Sequence, residues 1–228
     1  MSLDYNTNIA RDSLTLCLDP ANLRSYSGSG NIIYNISLGT SVSATKTAGV
    51  TYNSTAPATF SSTASNYIVT DYTMPSGVAF TISIWFKRVG NTFWTAVFGN
   101  EFWNNQFGYV ARIESANLIR FSAGGDGVGI SYNNANLVTS NFNHYTFVKN
   151  TSGTDSYIYV NGVQVANGSI ANKAITKPLV FNSRYTNDGS GYTDSVASEF
   201  SHMLAYERAL TDAEVKQNYY ATKRRFGL

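Results

Sequence analysis

The stretch that decides the fold class is Phe80-Thr81-Ile82-Ser83-Ile84-Trp85-Phe86-Lys87. Its even-numbered residues are all apolar, and its odd-numbered residues are Thr, Ser, Trp and Lys. Because successive side chains of a β-strand point to opposite faces, this alternation predicts a strand with one apolar and one mixed face. Such a strand is typical of one layer of a β-sandwich. Further strand patterns occur at residues 14–18, 67–70, 94–98, 108–113, 118–122, 128–132, 144–149, 179–182 and 197–206.

Two local motifs add a hairpin and a helix to these strands. The Asn-Gly pair at residues 161–162 lies between alternating apolar segments and supplies the two positive φ angles of a type I′ turn. Thr211-Asp212-Ala213-Glu214 is a capping box, which predicts the start of a helix. The sequence therefore predicts an all-β, two-sheet antiparallel sandwich with one short C-terminal helix. We expect one domain over residues 14–228, preceded by a polar arm over residues 1–13 that lacks a core pattern and becomes ordered on a partner.

Composition narrows the classes of function. The chain has 228 residues, of which 43 % are hydrophobic and 13 % are charged, and its net charge is +2. Because the charged share is about half the usual one and the net charge is small, we predict no nucleic-acid partner. The one dense basic cluster, residues 223–225, fits a solvated helix end. The single Cys17 excludes an intrachain disulfide and lies in an apolar run, which predicts a buried thiol.

The start of the chain lacks the basic and apolar regions of a signal peptide, and no apolar run approaches membrane-spanning length. We therefore expect no membrane partner and synthesis in a cytoplasm without a signal peptide.

Three segments resemble the concanavalin A-like lectin/glucanase superfamily in its laminin-G-like branch. They are AFTISIWFK at 79–87, YIYVNGVQV at 157–165 and EFSHMLAYERALTDAEV at 199–215. This resemblance implies that the predicted sandwich is a jelly roll. The two ends of the chain, LCLDPANLRSYSGSG at 16–30 and NYYATKRRFGL at 218–228, are similar to laminin-G-like virion structural proteins of tailed bacteriophages.

The narrower resemblance implies a non-enzymatic protein that decorates the capsid or belongs to the tail. Its expected place is the virion surface after synthesis in the host bacterial cytoplasm. Its expected partners are capsid or tail subunits and further copies of this chain. The alternative is an adhesin module that binds polysaccharide of the host surface.

A glycan site needs an exposed aromatic ring with amide or carboxylate groups beside it. The candidates that fit this description are Phe102, Trp103, Asn104 and Asn105 in one predicted loop, and Tyr185 and Tyr192 in another. Trp103 equally fits an anchor of a core or of a protein interface. Trp85 is expected to pack between layers, and Trp94 fits either a buried or an exposed position.

No cofactor is required by these residues, but the resemblance makes Ca²⁺ a candidate. Its candidate ligands are Asp126, Asp188 and Asp194, which alternatively make turns through their carboxylates. Glycosidases of the superfamily carry a Glu-x-Asp-x-x-Glu pattern on one strand, and no such pattern occurs here. Neither histidine adjoins a Gly-x-Ser-x-Gly motif. The sequence therefore predicts no catalytic residue, and glycoside hydrolysis is the least favoured of the three functions.

Overall fold

The computed structural model describes residues 9–37, 41–90, 94–101, 107–124, 129–134, 141–151 and 155–228. These residues form β-strands followed by one α-helix and one 3₁₀ helix. The strands are β1 (Leu14–Leu18), β2 (Ile32–Tyr34), β3 (Ser43–Lys46), β4 (Val50–Asn53), β5 (Thr59–Ser62), β6 (Ile68–Thr70), β7 (Phe80–Arg88), β8 (Thr95–Gly99), β9 (Tyr109–Ile113), β10 (Leu118–Ala123), β11 (Gly129–Asn133), β12 (Asn143–Lys149), β13 (Ser156–Val160), β14 (Val163–Gly168), β15 (Val180–Phe181), β16 (Arg184–Tyr185), β17 (Tyr192–Thr193) and β18 (Ser198–Tyr206). Helix α1 spans Asp212–Thr222, and the 3₁₀ helix spans Lys223–Phe226.

Two antiparallel sheets of eight strands each form the sandwich. The first sheet has the order β14-β13-β12-β7-β18-β5-β4, and β1 pairs with the second half of β18. The second sheet has the order β11-β10-β9-β8-β15-β6-β3-β2. The two-residue strands β16 and β17 form a separate hairpin. The predicted two-sheet jelly-roll sandwich with one C-terminal helix is confirmed.

Aromatic and aliphatic side chains from both sheets fill the space between them. The even-numbered residues of β7, from Phe80 to Phe86, all belong to this core, as the sequence pattern predicts. Phe147 of the first sheet packs against Phe98 and Phe121 of the second, with ring centroids 5.4 and 5.5 Å apart. These contacts set the spacing of the two sheets.

The C-terminal segment covers the outer face of the first sheet. Trp85 is fully buried there, donates its indole N–H to the Thr222 hydroxyl at 2.8 Å, and stacks on Phe226 at 4.0 Å. The mixed face of β7 is therefore buried as well, although it carries the polar side chains of Thr81 and Ser83 beside Trp85. Thr211 and Glu214 make the predicted capping box. A covered outer face explains why this strand carries few charges.

The structure differs from the sequence predictions in two places. The hairpin of β16 and β17 lies in a stretch interpreted as a loop, because two residues are too few to show an alternation. Ile9 and Ala10 are buried with Leu210 and Val215 in a cluster under α1, so the N-terminal arm does carry core residues. By contrast, the predicted type I′ turn and the predicted burial of Cys17 are confirmed, since Asn161 and Gly162 have φ values of 52° and 76°.

Candidate functional site

The aromatic residues proposed from the sequence fall into two groups in the structure. Residues 102–105, with Trp103, and the metal candidate Asp126 lie outside the described residues. Tyr185 is only 5 % exposed, and its ring packs 4.9 Å from that of Tyr192. The ring of Tyr192 also packs on Tyr67 at 4.3 Å, because the β16–β17 hairpin folds over the outer face of the second sheet. Burial accordingly raises the pKa of the Tyr185 hydroxyl. Tyr185 thus anchors this hairpin and offers no free ring face to a sugar.

The metal candidate Asp188 makes a turn. Its Oδ1 atom accepts hydrogen bonds from the Thr186 hydroxyl at 2.6 Å, the Ser190 amide at 3.0 Å and the Ser190 hydroxyl at 2.8 Å. The Thr186 hydrogen bond, followed by those of Ser190, lowers the pKa of Asp188 to about 2. Its Oδ1 atom is therefore occupied by local donors, as the alternative interpretation of this residue expects.

The second described metal candidate, Asp194, pairs with an arginine. Its Oδ2 atom lies 2.6 Å from the Nε atom of Arg184. Within the described ranges, no three His, Cys, Asp or Glu side chains come together as metal ligands.

The structure instead shows a cleft between the β16–β17 hairpin and the strands β9 and β10. Its volume is about 370 Å³, within the range of small-molecule sites. The residues that line it are Trp94, Arg112, Glu114, Arg120, Arg184, Asn187 and Asp194, and we call it the Trp94 cleft. A second compartment of about 440 Å³ shares Arg184 and Asn187 with it and extends along the hairpin to Asp188.

Strand alternation places the arginines of β9 and β10 in the cleft. Ala111, Ile113, Ile119 and Phe121 point into the core, so Arg112 and Arg120 point to the outer face of the second sheet. Arg112 and Arg120 also stand directly opposite each other across the β9–β10 ladder, where two like charges are unfavourable. Glu114 relieves this repulsion, because its carboxylate lies near both guanidinium groups.

The charged side chains that line the cleft, together with the fully buried Glu101 next to Arg184, form a row in which cations and anions alternate. In order they are Arg120, Glu114, Arg112, Asp194, Arg184 and Glu101, with successive nitrogen–oxygen distances of 3.1, 3.5, 3.9, 2.6 and 4.0 Å. The side chains of Arg112 and Glu114 are only 7 % and 8 % exposed, whereas that of Arg120 is 30 % exposed. A row so buried is held in place before any ligand arrives.

Trp94 stands at the mouth of this cleft. It is 53 % exposed, and its ring lies 5.4 Å from the guanidinium carbon of Arg112 in a cation–π contact. Its φ of 64° is rare for a bulky residue, and Asp194 of the same cleft has a φ of 60°. The Asp194 carbonyl accepts the Ala96 amide at 2.9 Å, which ties the hairpin to β8. Strained backbone held at a concave, polar surface is a feature of binding sites.

The sequence left Trp94 open between a buried and an exposed position and did not identify the arginines. Arg112, Glu114 and Arg120 are close in sequence, and in so weakly charged a chain this concentration of charge is a usable signal. Their partners Arg184 and Asp194 are distant in sequence, so only the pairing of the strands brings the two sets together.

Comparison with protein families gives a match over more than half of the chain. The model of Laminin_G_3, described as concanavalin A-like lectin/glucanases superfamily, matches residues 60–216. A comparison with curated protein sequences found no match. In the part of the chain that the structure describes, no helix has the length and apolar character needed to cross a membrane.

Solved structures of similar fold include binding domains of clostridial toxins. The binding domain of botulinum neurotoxin DC in complex with SialylT has a TM-score of 0.69 at 15 % identity. The binding domain of Paraclostridial Mosquitocidal Protein 1 has a TM-score of 0.66 at 19 % identity. Each likeness covers 92 % of this chain and 52 % of the other. A structure of botulinum neurotoxin type C, which depends on two ganglioside molecules to enter cells, has a TM-score of 0.65 at 16 % identity and covers 92 % and 51 %. This chain therefore spans about half of these domains, and the likeness shows the fold alone.

Proposed function

Because the chain belongs to the Laminin_G_3 family of the concanavalin A-like lectin/glucanases superfamily, we propose that it is a non-catalytic binding module whose ligand is a glycan held in the Trp94 cleft. The observation that carries this proposal is the exposed ring of Trp94 beside fixed hydrogen-bond donors and acceptors. A sugar ring packs its C–H face on an aromatic ring, while its hydroxyls need donors and acceptors around the edge. Arg112 and Asp194 provide such groups next to Trp94, and Asn187 adds an amide.

Two of the solved structures of similar fold add support. One botulinum neurotoxin binding domain forms a complex with SialylT, and botulinum neurotoxin type C interacts with two ganglioside molecules, so this fold occurs in proteins that recognise carbohydrate. The support is general, because the present chain covers only about half of those domains and shares few residues with them.

The arrangement of the carboxylates supports a non-catalytic role. A retaining glycosidase needs one carboxyl group as acid and another as nucleophile, roughly 5 Å apart. Glu114 and Asp194 both line the cleft, but each lies between two arginines. Both carboxylates are therefore engaged by arginines of the cleft wall.

A glycan-array experiment with three variants tests the proposal. The wild-type chain is expected to bind a subset of glycans, and Trp94→Ala is expected to lose that binding. Tyr220→Ala is the matched control, because Tyr220 is a 61 % exposed aromatic residue on α1, outside the cleft. Loss of binding in Trp103→Ala alone would move the site to residues 102–105. Absence of any glycan binding by the wild-type chain would contradict the proposal. Parallel arrays with calcium and with a chelator test the metal candidates.

A second candidate function is a structural protein of the virion surface, which presents this module to the host. It rests on the resemblance of the two ends of the chain to virion structural proteins, and these ends contact each other through the buried ion pair of Asp19 and Arg225 at 2.7 Å. The segments that carry the narrower resemblance therefore form one structural unit. Mass spectrometry of purified phage particles tests this role, and absence of the chain from the particles would contradict it. Light scattering of the purified chain tests the expected homo-oligomer.

A further inference from the structure

Resting on the proposed glycan-binding function, we infer that the Trp94 cleft selects uncharged glycans and rejects acidic ones. The selecting feature is the alternating row of charges under the Trp94 ring, and Glu114 is its specificity-determining residue.

The charges of the six-residue row balance, although only five of its members line the cleft, because Glu101 is fully buried next to Arg184. Three guanidinium groups and three carboxylates alternate along it, and no step between neighbours exceeds 4.0 Å. A ligand carboxylate that approached any of the three arginines would also approach a protein carboxylate already paired with it. Repulsion from that carboxylate offsets the attraction, and it is strong where the surrounding groups are shielded from water.

The same row suits a neutral sugar. Each sugar hydroxyl both donates and accepts a hydrogen bond, and the row presents guanidinium N–H groups next to carboxylate oxygens. Trp94 supplies the apolar surface above Arg112, so a ring can stack while its hydroxyls reach the row. Hydrogen bonds to charged partners are stronger than those between neutral groups, and a hydroxyl obtains them without bringing a charge of its own.

An acidic sugar would gain the most electrostatic attraction at Arg120, because this residue is the most exposed arginine of the cleft. Its Nε atom lies 3.1 Å from the Oε2 atom of Glu114, however, so the anion would stand next to that carboxylate. Glu114 also lies 3.5 Å from Arg112. Removing its charge takes one carboxylate away from two arginines at once, and for this reason Glu114 decides the selection.

The test compares neutral glucose oligomers with glucuronate oligomers of equal length, measured by titration calorimetry at low and at physiological salt. We expect the wild-type chain to bind the neutral oligomer at least tenfold more tightly, with little dependence on salt. Glu114→Gln keeps the shape of the side chain and gives the row a net positive charge. This variant is expected to bind the glucuronate oligomer about five- to tenfold more tightly than the wild-type chain does, and salt should reduce the gain.

Glu199→Gln is the matched control, because Glu199 makes a surface ion pair with Lys87 at 2.8 Å that is not part of the cleft. It removes the same charge and should leave the preference unchanged. Should Glu114→Gln fail to fold, Asp194→Asn makes the same change of charge in the row, and asparagine tolerates the positive φ of that position.

Tighter or equal binding of the glucuronate oligomer by the wild-type chain would overturn this inference and leave the glycan-binding function intact. An unchanged preference in Glu114→Gln, or the same change in Glu199→Gln, would also overturn it. Failure to bind any glycan on the array would overturn the proposed function itself, and this inference with it.

Discussion

The carboxylate of Asp19, just after β1, lies 2.7 Å from the Nη1 atom of Arg225 in the C-terminal 3₁₀ helix, and the two side chains are only 2 % and 4 % exposed. Arg225 also donates from Nη2 to the Ser201 hydroxyl at 2.7 Å and to the Ala58 carbonyl at 3.1 Å. One guanidinium group thus joins the end of the first strand, the strand β18 and the loop before β5. The Arg225 side chain therefore holds the C-terminal 3₁₀ helix against the first sheet.

Replacing Arg225 by Met should lower the free energy of unfolding by about 3–5 kcal/mol, because the buried Asp19 carboxylate is left without its partner. Urea denaturation measures this change. Asp19→Asn combined with Arg225→Met should cost less than the sum of the two single variants, since they share one interaction. Arg224→Met is the control, because Arg224 is an exposed neighbour on the same 3₁₀ helix. A loss in Arg225→Met no greater than in this control would argue against a stabilising ion pair.

Two buried histidines make stability depend on pH. Burial is the main cause that lowers the pKa of His144 to about 3 and that of His202 to about 4. A histidine in the unfolded chain titrates near pH 6.5. As pH falls below that value, the histidines of the unfolded chain bind protons while those of the folded chain stay neutral. Stability is therefore complete above about pH 6.5 and is lost progressively towards pH 4.

Between pH 6 and pH 5 the two histidines together should remove about 2 kcal/mol of the free energy of unfolding. Urea denaturation at several pH values measures the slope. The double variant His144→Gln and His202→Asn should show a smaller slope, and asparagine is chosen because His202 has a φ of 46°. Equal slopes for the double variant and the wild-type chain would show that other groups cause the loss.

Substitutions at Gly30 and Gly162 distinguish the stability cost of backbone strain from that of a steric contact. Gly162 and Gly30 have similar φ values of 76° and 79°, but a Cβ atom at Gly162 would lie 3.1 Å from Tyr219 whereas one at Gly30 has nothing within 4 Å. Gly30→Ala should therefore cost about 1 kcal/mol of the free energy of unfolding for its left-handed backbone. Gly162→Ala should cost more, because Tyr219 of α1 must also move. Equal losses of the free energy of unfolding in urea would show that α1 moves away from the hairpin without an energetic cost.

Trp94 is expected to serve binding at the expense of stability. A non-glycine residue with a φ of 64° is strained, so Trp94→Gly should be about 1 kcal/mol more stable than Trp94→Ala. Both variants should lose glycan binding, because both lose the ring. Urea denaturation and the glycan array measure the two effects separately. A Trp94→Gly variant less stable than Trp94→Ala would show that the backbone at this position is not strained in solution.

The sequence was informative where local rules decide the structure. The alternation around Ile84 and the turn at Asn161 depend on neighbouring residues alone, and both predictions are confirmed. The position of Trp94 depends instead on where the β16–β17 hairpin packs on the second sheet. No local sequence pattern predicts that packing. Tyr185 was proposed as an exposed glycan contact because its neighbours in sequence do not indicate its burial. That burial comes from the second sheet, on which the hairpin packs. The fold could thus be derived from periodicity and resemblance, whereas the cleft required the strand pairing.

The Trp94 cleft is assembled from three segments that are far apart in sequence: the approach to β8, the β9–β10 pair and the β16–β17 hairpin. An unfolded chain therefore contains no site, and a ligand can associate only with the native state. By mass action, a ligand present at one hundred times its dissociation constant adds about 2.7 kcal/mol to the native state. The midpoint of heat denaturation is consequently a direct readout of occupancy, so unlabelled mixtures of oligosaccharides can be screened without knowing the ligand beforehand.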